Sequence, residues 1–141
     1  LAEVFIDSTN LILGRLASIA AKKALNGDVI FILNAEKAVI TGNKREIIER
    51  YVNKRRKGGP FHGPFFPREP QDIVRRTIRG MLPYKKELGK KAFRRIKVYT
   101  GIPEEFKGKK IETIEKANVL KLKYQKYITI AELSKEIGGI K

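Results

Sequence analysis

The sequence predicts an α/β fold, on three observations. An apolar strand, a helical stretch and a second apolar strand succeed one another within the first 33 residues. The second strand is a continuous apolar run rather than an alternating one, as expected where crossover helices cover a parallel sheet on both faces. Further helical periods and another short strand follow a Gly- and Pro-rich break, within a length of 141 residues that suits one domain with a single core.

Residues 4–7 (VFID) are short, apolar and followed by Ser8-Thr9-Asn10, which reads as a buried strand entering a turn. Asp7 is expected to cap that turn rather than to act as a catalytic carboxylate. Leu13, Leu16, Ile19, Ala20, Lys23 and Ala24 then recur at helical spacing, with Ser18 and Lys22 off the stripe and Asn26-Gly27 as the stop. Residues 29–33 (VIFIL) form the second strand and complete a βαβ unit. Lys37 to Ile40 reads as a short strand or turn. Thr41-Gly42-Asn43 breaks the chain before a helix over about 44–55, whose apolar residues are Ile47, Ile48, Tyr51 and Val52.

From Lys57 to Pro70 three glycines and four prolines interrupt every period, so the stretch is expected to be an extended loop, and loops of this length are usually functional. About 57–68 is expected to be mobile in the free protein and ordered against a bound partner. Pro70 suits the first turn of a third helix reaching about Leu82. At about 100° per residue, Ile73, Val74, Thr77, Ile78, Met81 and Leu82 share one side of that helix, and Arg75, Arg76 and Arg79 share the other. A fourth helix over about 86–95 places Lys86, Lys90 and Arg94 at i, i+4 spacing, with Leu88 and Ala92 facing another way. Residues 96–101 (IKVYTG) read as a strand and turn. Thr129 to Glu132 is a capping box, opening a last helix that Gly138 and Gly139 end.

Charge locates the function. Residues 44–97 carry 18 Lys or Arg against 5 Asp or Glu, which is +13 of the chain's formal +16. That excess self-repels unless a polyanion is bound. A membrane is the competing anionic surface, but no apolar run approaches the ~20 residues needed to span one, and no basic-then-apolar leader pattern opens the sequence. A soluble, cytoplasmic protein that binds nucleic acid is therefore expected. Aromatic residues at 61, 65 and 66 beside the cations of the loop suit unstacked RNA bases better than a DNA groove, and nothing resembles a paired recognition-helix unit.

Other chemistries lack their residues. Cysteine is absent and His62 is the only histidine, so no site of thiolate and imidazole ligands can be assembled, and His62 reads as a loop donor. No G-x-S-x-G elbow is present, and no G-x-G-x-x-G follows the first strand. Gly58 and Gly63 have Walker-like spacing, yet Pro64 stands where the phosphate-binding lysine would be and Pro60 removes a cradle donor. No cofactor, metal or catalytic residue is expected. A rival function, RNA modification by an α/β enzyme, needs a cofactor pocket for which the sequence shows no motif.

The stretch RTIRGMLPYKKELGKKAFRRIKVYTGIP (76–103) resembles the L-thirteen family of large-subunit ribosomal proteins, whose hallmark is an R-G-M-L-P core followed by a spaced glycine and a strand. The resemblance extends to LGRLASIAAKKAL (13–25), to VITGNK (39–44) and to the Gly-Pro-Phe-His-Gly-Pro loop, in the archaeal and eukaryotic style. It implies a three-layer α/β/α domain around a mainly parallel four-stranded sheet, and a passive structural role in binding large-subunit rRNA during assembly. The expected partners are that rRNA and neighbouring ribosomal proteins, with the chain a monomer within the ribosome. Charge and resemblance together assign RNA contact to Lys44, Arg45, Lys54, Arg55, Arg56, Lys57, His62 and Arg68, to Arg75, Arg76 and Arg79, and to Lys85, Lys86, Lys90, Lys91 and Arg94. Tyr84 stands where eukaryotic members tend to have His. The sequence ends soon after Gly139 without their long tail, so tail-dependent partners are not expected.

Overall fold

The computed structural model describes residues 2–56, 67–121 and 126–138. The βαβ unit is present. Strand β1 (Glu3–Asp7) leads into α1 (Leu13–Leu25), which returns to β2 (Val29–Leu33), and the two strands pair in parallel from Glu3 opposite Val29 to Asp7 opposite Leu33. Helix α1 ends as Asn26-Gly27 predicts. Gly27 takes φ +102°, its N–H donates to the Ala24 carbonyl at 3.0 Å, and the Asp28 N–H donates to the Lys23 carbonyl at 3.1 Å, so the last carbonyls are satisfied.

A 3-10 turn (Ala35–Lys37) precedes β3 (Val39–Thr41), which settles the ambiguous 37–40 stretch as both turn and strand. Helix α2 (Lys44–Arg56) follows, its start capped by Asn43, whose Oδ1 accepts from the Arg45 N–H at 2.9 Å. Helices α3 (Pro70–Gly80) and α4 (Glu87–Arg94), strands β4 (Ile96–Val98), β5 (Ile111–Glu112) and β6 (Tyr127–Thr129), and α5 (Ile130–Glu136) complete the order. The N-cap half of the capping box is formed, with the Glu132 N–H donating to Thr129 Oγ1 at 3.1 Å, and the helix ends as expected at Gly138, which follows the C-cap Ile137 with φ +89°. Lys57, His62 and most of the expected loop lie outside the described residues.

The main sheet runs β4-β2-β1-β5 with all pairings parallel, and β3 and β6 form a separate antiparallel pair. Alternation along the strands divides the sheet faces. Ile6, Ile30 and Ile32 join one core with Leu16, Ala17 and Ala20 of α1 and Ile73, Val74 and Ile78 of α3. The small residues along α1 let α3 and α4 pack closely against it. On the opposite face Phe5 and Phe31 stack with centroids 4.6 Å apart, and Phe106, from the 3-10 turn Glu104–Phe106, covers both. The α/β/α layering therefore holds, and among the described residues the cover over these two rings comes from the 3-10 turn that carries Phe106.

Two expectations for α3 and α4 need correction. Met81 does not pack with Ile73 and Ile78: helix α3 stops at Gly80, and Met81 stands 44% exposed in the turn beyond. The angular rule places a residue only while the helix lasts. Lys86 is the residue before α4 rather than part of it, and Leu88 projects into water at 62% exposure.

Asp7 caps its turn. Its Oδ1 accepts from the Thr9 N–H at 3.0 Å, Thr9 Oγ1 at 2.7 Å and Asn34 Nδ2 at 3.0 Å, tying the ends of β1 and β2 together. Partial burial pushes this carboxyl up, but the hydrogen bonds from Asn34 and Thr9, with the charge of Lys37, outweigh it and hold Asp7 below its ordinary value. A depressed folded-state value means the stabilisation is complete above the unfolded value of about 3.9 and disappears as pH falls through the folded one. The stability difference between wild type and Asp7→Asn should therefore be constant from neutral pH down to about 4 and shrink below it. Urea titrations of both proteins across that range check this; a difference that instead changes between pH 5 and 8 would assign it to another group.

Candidate nucleic-acid interface

Helix α3 is anchored from below. Ile73, Val74 and Ile78 are fully buried, Pro70 closes the first turn, and the helix contacts α1, α5 and β4. The buried Ser134 hydroxyl of α5 donates to the Arg68 carbonyl at 2.5 Å, fixing the chain where it enters the helix. With that side committed, the remaining face must carry Arg75, Arg76 and Arg79, as the helical angle requires.

The arginines are not loose. The Arg75 guanidinium carbon lies 4.4 Å from the centroid of the Phe93 ring, and that of Arg79 lies 4.7 Å from the centroid of Tyr84. Each contact adds about 0.5–1 kcal/mol at an exposed site and, more usefully, orients the guanidinium plane without neutralising it. Arg75, Arg76 and Arg79 line one cleft of about 220 Å³ together with Pro67, Asp72 and Phe93. Asp72 sits in the first turn of α3, where the helix dipole favours a carboxylate.

Arg94 joins the same region through an adjoining cleft of about 330 Å³, shared with Arg75, Gln71, Lys97 and Tyr99. The buried Oε1 of Gln71 finds no hydrogen-bond partner among the described residues. Arg95, one residue on, has the opposite fate. Its Nη1 donates to the Ala24 carbonyl at 2.8 Å, so it ties β4 to the end of α1.

Lys85, Lys86, Lys90 and Lys91 are exposed along the turn after Pro83 and on α4, and Arg68 is exposed ahead of α3. Lys44 and Arg45 are placed elsewhere. They line a separate cleft with Lys126 and Tyr127, and each faces a carboxylate: Lys44 Nζ is 3.1 Å from Glu132, and Arg45 Nε is 3.7 Å from Glu49. Lys54, Arg55 and Arg56 close α2, while Lys57 and His62 fall outside the described residues. Among the described residues no group of His, Cys, Asp and Glu is arranged to hold a metal ion.

The supporting rings are not among the residues assigned from sequence. The aromatics singled out there belong to the loop, whereas Tyr84 and Phe93 stand inside the basic segment itself, which is the cue that could have found them. Lys97 and Lys126 are likewise additions made by the fold.

The family model for ribosomal protein L13 matches residues 2–105. The chain belongs to the ribosomal protein L13 family. It is 50% identical over 134 residues to the large ribosomal subunit protein uL13 of Archaeoglobus fulgidus, an alignment covering 94% of this chain and 86% of that one. It is 51% identical over 138 residues to uL13 of Methanocaldococcus jannaschii, covering 95% and 96%. With uL13 of Haloarcula marismortui it shares 41% over 140 residues, covering 99% and 94%. The L13 match contains α3, the following turn and α4, so the arginine face lies within the family's own region.

Proposed function

We propose that the arginine face of α3 and the basic turn after it hold this L13-family chain against large-subunit rRNA. The chain is a structural constituent of the large ribosomal subunit in the cytoplasm, not an enzyme. The observation that carries the site assignment is the convergence of Arg75, Arg76 and Arg79 on one cleft, two of them planed against aromatic rings. Cations held this way meet phosphates without first losing side-chain freedom, and they reduce the repulsion that opposes packing of RNA helices. Phosphate contact positions the protein and needs no bond made or broken.

Arg94, Lys85, Lys86, Lys90 and Lys91 extend the same footprint, and the segment with Lys54, Arg55, Arg56, Lys57, His62 and Arg68 adds an arm. Lys44 and Arg45 supply a second, weaker contact, since each already faces a carboxylate. The 141 residues act as one domain, present as a single copy beside neighbouring ribosomal proteins, with no membrane contact.

The test is the salt dependence of binding to a large-subunit rRNA transcript. Every phosphate that the protein no longer neutralises should flatten the slope of log K against log salt by about 0.7–0.9, so replacing Arg75, Arg76 and Arg79 together by Gln should flatten it by roughly 2–3. Losing the two exposed cation–π interactions of Arg75 and Arg79 should itself cost about 1–2 kcal/mol on melting. A wild-type slope in the triple variant would remove these arginines from the interface.

A further inference from the structure

Phosphate contact accounts for the arginines but not for the turn between α3 and α4. Five large hydrophobic side chains are exposed among the described residues, and Met81, Tyr84 and Leu88 are three of them. Scattered exposure of this kind is ordinary, whereas three cases within eight residues mark a surface that meets something. Arg79 precedes them, and Lys85 and Lys86 lie between. The partner must therefore be anionic and also offer a flat apolar face, and a nucleotide has both properties.

We infer that Tyr84 is a stacking platform for an unpaired RNA base. One face of its ring is taken by the Arg79 guanidinium at 4.7 Å, yet the residue remains 38% exposed, and that open surface is where the base lies. Backbone packing holds the main chain at Tyr84 in place, and the Arg79 guanidinium lies against its ring. The Tyr84 N–H donates to the Leu82 carbonyl at 2.8 Å and the Lys86 N–H to the Pro83 carbonyl at 2.9 Å. Behind the turn, Gly89 of α4 comes so close that a Cβ there would overlap the Pro83 carbonyl. A ring that lies against a guanidinium on a fixed backbone loses less freedom when a base settles on it. Lys85 and Lys86 are placed beside it for the phosphates that flank the base.

Paired bases in an A-form helix keep their faces inside the stack, so the platform selects a single strand, bulge or loop. The inference rests on the reading of α3 as rRNA-facing and adds the class of RNA element met by the turn.

The experiment uses the full chain, a single-stranded oligoadenylate of about 12 nucleotides carrying 2-aminopurine, and an RNA duplex of similar length. Tyr84→Leu should bind the single strand roughly 10-fold more weakly and lose the 2-aminopurine fluorescence change, while its salt slope flattens by less than the about 0.7–0.9 of one phosphate contact, since Arg79 keeps its charge. Tyr84→Phe should behave as wild type. Duplex affinity should change less than about 2-fold in either variant. Undiminished single-strand affinity and fluorescence response in Tyr84→Leu overturn the platform; if the triple-arginine variant still flattens the slope, the phosphate reading stands without it. A loss shared by Tyr84→Phe overturns it in favour of a hydroxyl contact. A slope flattened by a full phosphate contact in Tyr84→Leu, with the fluorescence change kept, overturns it and leaves the ring only as the support of Arg79. Crosslinking from position 84 to protein rather than RNA in assembled subunits overturns it as well.

Discussion

Gly89→Ala should destabilise the protein by about 2–3 kcal/mol, a fall in melting temperature of roughly 5–10 °C. The added Cβ would overlap the Pro83 carbonyl group and stand 2.9 Å from the Tyr84 nitrogen. These are backbone atoms, so no rotamer change relieves the overlap, and either α4 or the turn must move. Alanine favours a helix interior over glycine by about 1 kcal/mol, which opposes the clash and makes any net loss a lower bound on the steric term. Gly80 supplies the control. It closes α3, no atom lies within 4 Å of where its Cβ would be, and its φ is not positive. Gly80→Ala should therefore leave the melting temperature unchanged or raise it slightly. Paired melts of the two variants decide the matter: a Gly89→Ala protein as stable as Gly80→Ala would mean that the turn does not rest on α4.

The two glycines of the family motif look alike in sequence, and only the fold separates them. Spacing identifies α1 because it is long enough to show a period, β1 and β2 are read from their apolar runs, and the bounds of VIFIL are the same in sequence and structure. Strands β5 and β6 have two and three residues and offer no period to read. Buried Ala17 and Ala21 escape a stripe traced through the larger residues of α1, although small ones are what close helix packing requires. The arginine face is legible, since it depends only on helical angle within α3. Its supports are not: Phe93 reaches Arg75 from another helix, 18 positions along the chain, and no local rule links such positions. Arg94 and Arg95 make the same point more sharply, because adjacent cations of equal charge divide between a surface cleft and the end of α1.

Packing and binding on α3 should prove separable, and Ile78→Ala is the substitution that shows it from the packing side. Ile78 is fully buried in the core shared by α1, α3 and the sheet. Removing its outer carbons forfeits their transfer energy and leaves a cavity that close-packed neighbours fill only in part, at a cost of about 2–5 kcal/mol. The substitution touches no charge, so the protein that remains folded should bind rRNA with the wild-type salt slope. Its apparent affinity should fall only by the unfolded fraction, and should recover when temperature is lowered toward the stability maximum. The triple Arg→Gln variant should show the reverse pattern, a flattened slope with a smaller loss of stability than Ile78→Ala. Melting curves and salt titrations on both proteins give four measurements. A flattened slope in Ile78→Ala would mean that loosening the core already scatters the guanidinium groups, and that the two faces of this helix act as one unit.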